Sequence, residues 1–283
     1  MQIKKREIKY IIAYVIGIIY LIFRSEAINL NFEEQTTQDN QFKNQSITLI
    51  NNQHFRLTDN KQGLLNITYK SDKYGVILIQ NTSKENSKEY KYILEPGEFN
   101  IIALTDGVGT YNLKLHNVEE SGQGIAKIID TYENITIELS EDFEYQVFKN
   151  STTLVDFENN LNIIDEIFQY TNDIDEIYIY FKNMGYDYTL ANKISSGEIT
   201  KHKVDINKTL REQRGICYDI ATSMTAVLRS KGYTTQMVYG YINNTYHSWV
   251  RVLIDEHWVS YDPTLGKTSY NDDMSSYIID EYH

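Results

Sequence analysis

Proline is nearly missing from this chain, with two residues in 283, beside 14 glycines. That composition excludes collagen-like, linker-like and low-complexity architectures. Cysteine is scarcer still: Cys217 stands alone, so no internal disulfide can form. Positive charge is also short, since 27 Lys and Arg face 39 Asp and Glu for a net charge of −12. No long basic stripe occurs beyond the amino terminus. Phosphate neutralisation needs clustered Lys and Arg, so no nucleic acid is expected as a partner. What is present is 41% hydrophobic and 23% charged residues, the balance of a folded globular protein, in a length that can hold two domains. The 24 tyrosines accompany many Asn and Ile as compositional bias and point to no function by number alone.

The first residues form a separate segment. Lys4, Lys5, Arg6 and Lys9 precede an apolar run from Tyr10 to Phe23, a charged n-region before an h-region. The run is shorter than the roughly 20 residues of a comfortable membrane span, and Ser25-Glu26-Ala27 offers small residues for cleavage. Residues 1–27 are therefore expected to be a signal peptide. An uncleaved membrane anchor is the alternative, because Ile3 and Ile8 lengthen the apolar face. Either way the remainder is expected outside the cytoplasm, secreted or membrane-anchored. A lone thiol in such an oxidising place is a liability unless it is buried or used.

Residues 28 to about 60 are polar and lead, as a spacer, into a β-rich stretch, so 28–150 is expected to be a spacer and β-rich module. Gly75 to Ile79 and Tyr90 to Leu94 are predicted strands, the second closed by Glu95-Pro96-Gly97. Phe99 to Leu104 stops at Asp106-Gly107, and Tyr111, Leu113 and Leu115 alternate onto one face. Strands at this spacing suggest a β-sandwich without a catalytic cluster. After about residue 150 the apolar period changes from two to 3.6. One helix is predicted over 154–170, with Leu161, Ile164, Ile167 and Phe168 on its apolar face. A second carries Ile174, Ile177, Tyr178, Phe181 and Met184, capped by Asn172 or Asp173 and ended by Gly185 as a C′ glycine. A third runs from Cys217 to Lys231 and stops at Gly232; strands follow at Thr235 to Ile242, Tyr246 to Ile254 and Trp258 to Asp262. The expected fold class is α+β: a β-sandwich-like module, then, over 151–283, helices packed on an antiparallel sheet, with no βαβ repeat.

Cys217 lies at the first turn of its helix, where unpaired amides and the helix dipole favour an anion. The same amides could hold a developing oxyanion. A nucleophilic cysteine needs a base, and among six histidines His247 has the best context, opening a strand that shows His247, Trp249, Arg251 and Leu253 on one face. The base in turn needs an acceptor on its other nitrogen. Asp255-Glu256 makes a hairpin turn towards Asp262. With an even connection Ile254 opposes His257, and Asp262 shares a face with His247, diagonally across the ladder; an odd loop or a bulge breaks the relation. Each residue also has a plain structural explanation: a buried inert thiol, a strand histidine, an aspartate capping the Asp-Pro-Thr turn.

Arg214-Gly215-Ile216-Cys217-Tyr218-Asp219, Leu228-Arg229-Ser230-Lys231-Gly232, His247-Ser248-Trp249 and Trp258-Val259-Ser260-Tyr261-Asp262-Pro263-Thr264, in that order, resemble the core of bacterial transglutaminase-like (papain-like) domains. The resemblance covers 210–266 strongly and 155–283 loosely. It implies Cys217 as nucleophile, His247 as general base and acid, and Asp262 as the residue that orients the imidazole. Tyr186, in Tyr186-Asp187-Tyr188, matches a segment where an aromatic side chain helps to bind the oxyanion. Ser248 stands where alanine is commoner, and Tyr218 where animal transglutaminases carry tryptophan. Asn271-Asp272-Asp273 lacks the EF-hand spacing, so calcium activation does not carry over, and neither cofactor nor metal is expected. The implied chemistry is acyl transfer from a protein or peptide amide, with hydrolysis leaning ahead of crosslinking. The rival expectation is a surface binding or adhesion protein with an inactive form of the fold.

Overall fold

The computed structural model describes residues 48–51, 55–59, 63–97, 99–121, 125–139, 145–199 and 201–283. The expected leader over 1–27 and the spacer up to residue 47 lie outside the described residues. Among the described residues no helix is long and apolar enough to cross a membrane. The chain divides into two units, one built on Ala27–Ser121 with Ala126–Thr153 and the other centred on Leu154–His283.

The first unit is built from β1 (Thr48–Asn51), β2 (Phe55–Asp59), β3 (Leu64–Tyr69), β4 (Gly75–Asn81), β5 (Tyr90–Leu94), β6 (Phe99–Ala103), β7 (Gly109–Ser121) and β8 (Ile125–Leu139). They form two four-stranded sheets, ordered β1-β2-β3-β6 and β5-β4-β7-β8. Period-two alternation selects the buried face, where Tyr111, Leu113 and Leu115 are all inside. Chain reversals fall where turn chemistry is strongest, with Gly97 and Gly107 at φ 66° and 69°. The polar tips of buried side chains are satisfied mainly by backbone. Tyr90 Oη donates to Ala103 O and accepts from Thr105 N, Tyr111 Oη donates to Gly107 O, and Asn81 Nδ2 donates to Val108 O.

The second unit mixes helices and strands. In order they are α1 (Leu161–Phe168), α2 (Ile174–Lys182), β9 (Gly185–Tyr186), α3 (Tyr188–Ser195), α4 (Ile206–Glu212), β10 (Arg214–Gly215) and α5 (Cys217–Ser230). Then follow β11 (Thr235–Ile242), β12 (Thr245–Ile254), β13 (His257–Asp262), β14 (Lys267–Thr268) and β15 (Tyr277–Tyr282). The last five form one antiparallel sheet, ordered β14-β13-β12-β11-β15. Helix α5 packs on β12 and β11 and also touches α2 and α4. Ile220, Met224 and Val227 of α5 meet Met237, Val250 and Val252 of the sheet in one buried cluster.

Several elements depart from sequence expectation. The helix predicted over 154–170 begins only at Leu161, after a 3-10 turn at Glu158–Asn160. Asp156 accepts from Asn159 N and Nδ2, so the carboxylate starts the turn there, and Leu161 is exposed while Ile163 takes a core position. Asp173 caps α2 by accepting from Glu176 N. Gly185 is not a left-handed C′ residue; it opens β9 and pairs with Arg214. Helices α3 and α4 and the strand β15 are additions that periodicity did not announce.

Candidate functional site

Three local devices hold Cys217 in place at the start of α5. Ile216, the N-cap residue, has extended backbone and no side-chain acceptor to offer. Asp219 supplies the return half of a capping box, its Oδ2 accepting from Ile216 N at 2.9 Å. Gly215 is required by this arrangement, since a Cβ there would lie 2.6 Å from the Asp219 Cβ. The glycine thus serves a close approach of side chain to backbone. Cys217 itself is buried. The other oxygen of Asp219 meets His202 Nε2, from the segment between α3 and α4.

Ahead of the helix, β9 and β10 form a two-rung parallel ladder that pairs Tyr186 with Gly215. Gly185 N donates to Gln213 O at 2.8 Å and Asp187 N to Gly215 O at 2.9 Å. Asp187 also caps α3, accepting from Leu190 N, and takes a hydrogen bond from Arg214 Nη2. Tyr186 is therefore held by backbone beside the residues that lead into Cys217. Its ring packs against Tyr188 at 5.0 Å, next to the Ala191 and Ile216 cluster. Burial first, then the nearby Cys217, Tyr188, Asp219 and Asp187, hold its hydroxyl far above the usual phenol range, so it remains a donor.

The base and its acceptor come from one hairpin. Ile254 opposes His257 across the turn, Val250 opposes Tyr261, and the two turn residues are both left-handed, Asp255 at φ 47° and Glu256 at φ 66°. Such a two-residue turn matches the twist of the strands and sets the even connection that places Asp262 diagonal to His247. His247 Nε2 lies 2.9 Å from Asp262 Oδ2, with both side chains buried. With Nε2 engaged there, Nδ1 is the ring nitrogen left for Cys217, which is near enough to raise His247 electrostatically.

Electrostatics decide the state of this pair. Burial alone would strip the proton from His247. The Asp262 carboxylate outweighs burial, Cys217 adds to it, and His247 is pushed up to about 10. Burial likewise works against a charged Asp262, yet His247, the hydroxyl of Tyr277 and the amide of Leu265 keep it below the ordinary carboxylate range. An ionised Asp262 accepts only, so Nε2–H donates to it and the tautomer is fixed.

The hairpin is braced from the neighbouring strands. Gly240 pairs with His247, and a Cβ at 240 would fall 2.1 Å from Ile278 O and 2.5 Å from the Trp249 ring. The absence of that side chain lets the indole lie beside the imidazole, ring centroids 6.4 Å apart. Tyr277 meets the indole edge-on at 5.2 Å and donates to Asp262 Oδ2 at 2.7 Å.

The structure thus brings Asp262 to His247 by a hydrogen bond and Cys217 into the electrostatic reach of the same imidazole, with Tyr186 on the ladder that leads into Cys217. Sequence reasoning passed over Asp219, His202 and Tyr277. A carboxylate three residues after the N-cap is the signal that could have pointed to Asp219, although Ile216 lacks the hydroxyl that completes the pattern. His202 and Tyr277 carry no spacing rule that could have found them. A thiol, an imidazole with a held tautomer, a protonated phenol and a helix N-terminus together suit attack on a carbonyl carbon and stabilisation of the resulting oxyanion. Among the described residues no group of His, Cys, Asp and Glu is arranged to hold a metal ion.

Residues 165–263 match the model of the Transglutaminase-like superfamily, a span that includes Tyr186, Cys217, His247 and Asp262. No curated protein matches the chain. Among solved structures, a candidate cysteine protease from Cytophaga hutchinsonii is 12% identical, with 78% of this chain and 80% of its own covered and a TM-score of 0.41. The periplasmic domain of TgpA from Pseudomonas aeruginosa, bound to ethylmercury, is 14% identical over 72% of each chain at a TM-score of 0.33. A red sea bream transglutaminase is 11% identical over 71% of this chain and 48% of its own, at 0.19.

Proposed function

We propose that this chain is an extracytoplasmic cysteine enzyme that cleaves or transfers the acyl group of protein or peptide amides through a thioester on Cys217. The observation that carries the reading is the buried His247–Asp262 hydrogen bond beside Cys217, within a span that matches the transglutaminase-like family model. The basic residues before the apolar run Tyr10 to Phe23 support the location, as a signal peptide or an anchor does.

In the first half-reaction the sulfur of Cys217 forms a bond to the amide carbon while the proton of the pair rests on His247. The oxyanion lies between the Tyr186 hydroxyl and the first amides of α5. The C–N bond then breaks, His247 gives that proton to the leaving amine, and a thioester remains. In the second half, water or an amine attacks the thioester, His247 takes the incoming proton, the C–S bond breaks and the pair has its proton again. Asp262 keeps Nε2 occupied throughout, so Nδ1 stays aimed at sulfur. Water as acceptor gives hydrolysis, the outcome favoured here; an amine gives a crosslink. The two sheets of the first unit are read as a sandwich, since Tyr90 and Tyr92 of one sheet hydrogen-bond residues at the end of β6 in the other.

The test is turnover of a peptide-amide library by the full chain and by Cys217→Ser, with and without a fluorescent primary amine. Acid release by the full chain alone supports the hydrolase. Incorporation of the amine supports the transferase. No turnover and no acyl group on Cys217 by mass spectrometry would leave a binding protein with an inactive site.

A further inference from the structure

Asp262 accepts more than its histidine partner requires. Oδ1 takes Leu265 N at 3.0 Å, while Oδ2 takes both His247 Nε2 at 2.9 Å and Tyr277 Oη at 2.7 Å. The carboxylate is fully buried, so every donor that reaches it counts towards keeping it ionised. We propose that Tyr277 is a positioning residue of this site, which holds Asp262 ionised and oriented for His247 through its hydroxyl and props Trp249 behind the imidazole through its ring.

The geometry of β15 makes this possible. Tyr277 is the first residue of that strand and pairs with Ile242 of β11, and the close approach at Gly240 brings Ile278 next to the indole. The ring then meets Trp249 at an interplanar angle of 89° while the hydroxyl continues to Asp262. Tyr277 therefore helps to keep the carboxylate ionised, and an ionised Asp262 holds on His247 the proton that a leaving amine takes. The titratable groups that face Asp262 are His247 from β12, Tyr277 from β15 and Tyr178 from α2; Tyr178 also faces Asp272, and His247 faces Cys217 from α5. Of these, Tyr277 and His247 donate to the carboxylate.

This inference rests on the reading of Cys217 and His247 given under Proposed function, and the experiment separates the two. The rate of Cys217 alkylation by iodoacetamide is measured against pH in the full chain and in Tyr277→Phe, Tyr277→Leu and His247→Ala. Tyr277→Phe keeps the ring and removes the donor, so the acid limb of its profile moves up by about one pH unit while the plateau stays near that of the parent. Tyr277→Leu also lowers the plateau, because Trp249 loses its brace. A Tyr277→Phe profile that superposes on the parent overturns the proposal, and a lowered thermal midpoint with an unmoved profile does so too, as a structural role alone. If His247→Ala reacts like the parent at every pH, the Cys–His reading itself fails; if it is slow and Tyr277→Phe is unchanged, only the role of Tyr277 falls.

Discussion

Buried polar side chains serve different ends in the two units. In the β unit they close on the backbone: Tyr90 and Tyr92 bridge to Ala103 and Thr105, Tyr111 to Gly107, and Asn81 to the loop before β7. Two such side chains also meet each other, where Tyr69 Oη donates to Asn117 Oδ1. In the helical unit backbone partners also occur, as for Arg229 on Thr235 O and His283 O, but titratable groups meet each other as well. His202 meets Asp219, while His247 and Tyr277 both meet Asp262. A hydroxyl tied to a carbonyl fixes a fold and can be lost for the worth of one hydrogen bond. A histidine tied to a buried carboxylate fixes a protonation state, and that state is what chemistry can use.

Gly240→Ala should have the largest effect, because the new Cβ meets Ile278 O and the Trp249 ring at distances no packing adjustment absorbs cheaply. A cost of about 1–3 kcal/mol is expected, read as a fall in thermal midpoint of about 5 °C, together with slower Cys217 alkylation as the indole moves. An unchanged alkylation rate would separate the brace from the site.

Protonation gives the second test. His247 is raised above its unfolded value of 6.5, so its contribution to stability is complete below that pH and is lost as pH rises through about 10. Asp262 is depressed from 3.8, so its contribution is present above that pH and is lost as pH falls through the lower folded value. The difference in thermal midpoint between the parent and His247→Gln should therefore be greatest between pH 3.8 and 6.5 and shrink towards pH 10. A difference that stays flat to pH 10 would show that the pair is not ionic.

Tyr90→Phe should have the smallest effect and sharpens the contrast most cleanly. It removes a hydroxyl that serves Ala103 O and Thr105 N, at a cost of about 1–2 kcal/mol in denaturant unfolding. Cys217 alkylation should not change. A slowed reaction would mean that the polar groups of the β unit are not confined to holding its own fold.

Much of this was legible in the sequence because the governing rules are local. Asp173 capping α2, the left-handed residues Asp255 and Glu256 and the glycine at 232 each act within a few residues, and the elements they bound fall where expected. Gly185 misled for the same reason: a glycine after a helix is commonly a C′ residue, but here a strand partner, Arg214, claims it from a distance. The first turns predicted over 154–160 failed because Asp156 outcompetes helix propensity. Helices α3 and α4 are eight and seven residues long, too short to show a period, and depend on the caps Asp187 and Asp205. Tyr277 was hidden among 24 tyrosines, and its meeting with Asp262 is a product of sheet order, which no spacing encodes. His202 reaches Asp219 from a connecting segment for which the same holds.

The two-rung ladder between β9 and β10 has a consequence for how such a domain can diversify. Everything from Asp187 to Arg214 leaves and returns through one narrow neck, whose ends are clamped by Gly185 N on Gln213 O and Asp187 N on Gly215 O. The separation of Tyr186 from the start of α5 is thus gauged by backbone and not by the length of chain between them. Lengthening a closed excursion costs little free energy, growing only with the logarithm of its size. The connection between α3 and α4 is therefore the place where new sequence could be grafted, by evolution or by design, to reshape what approaches the thiol while the neck preserves its alignment.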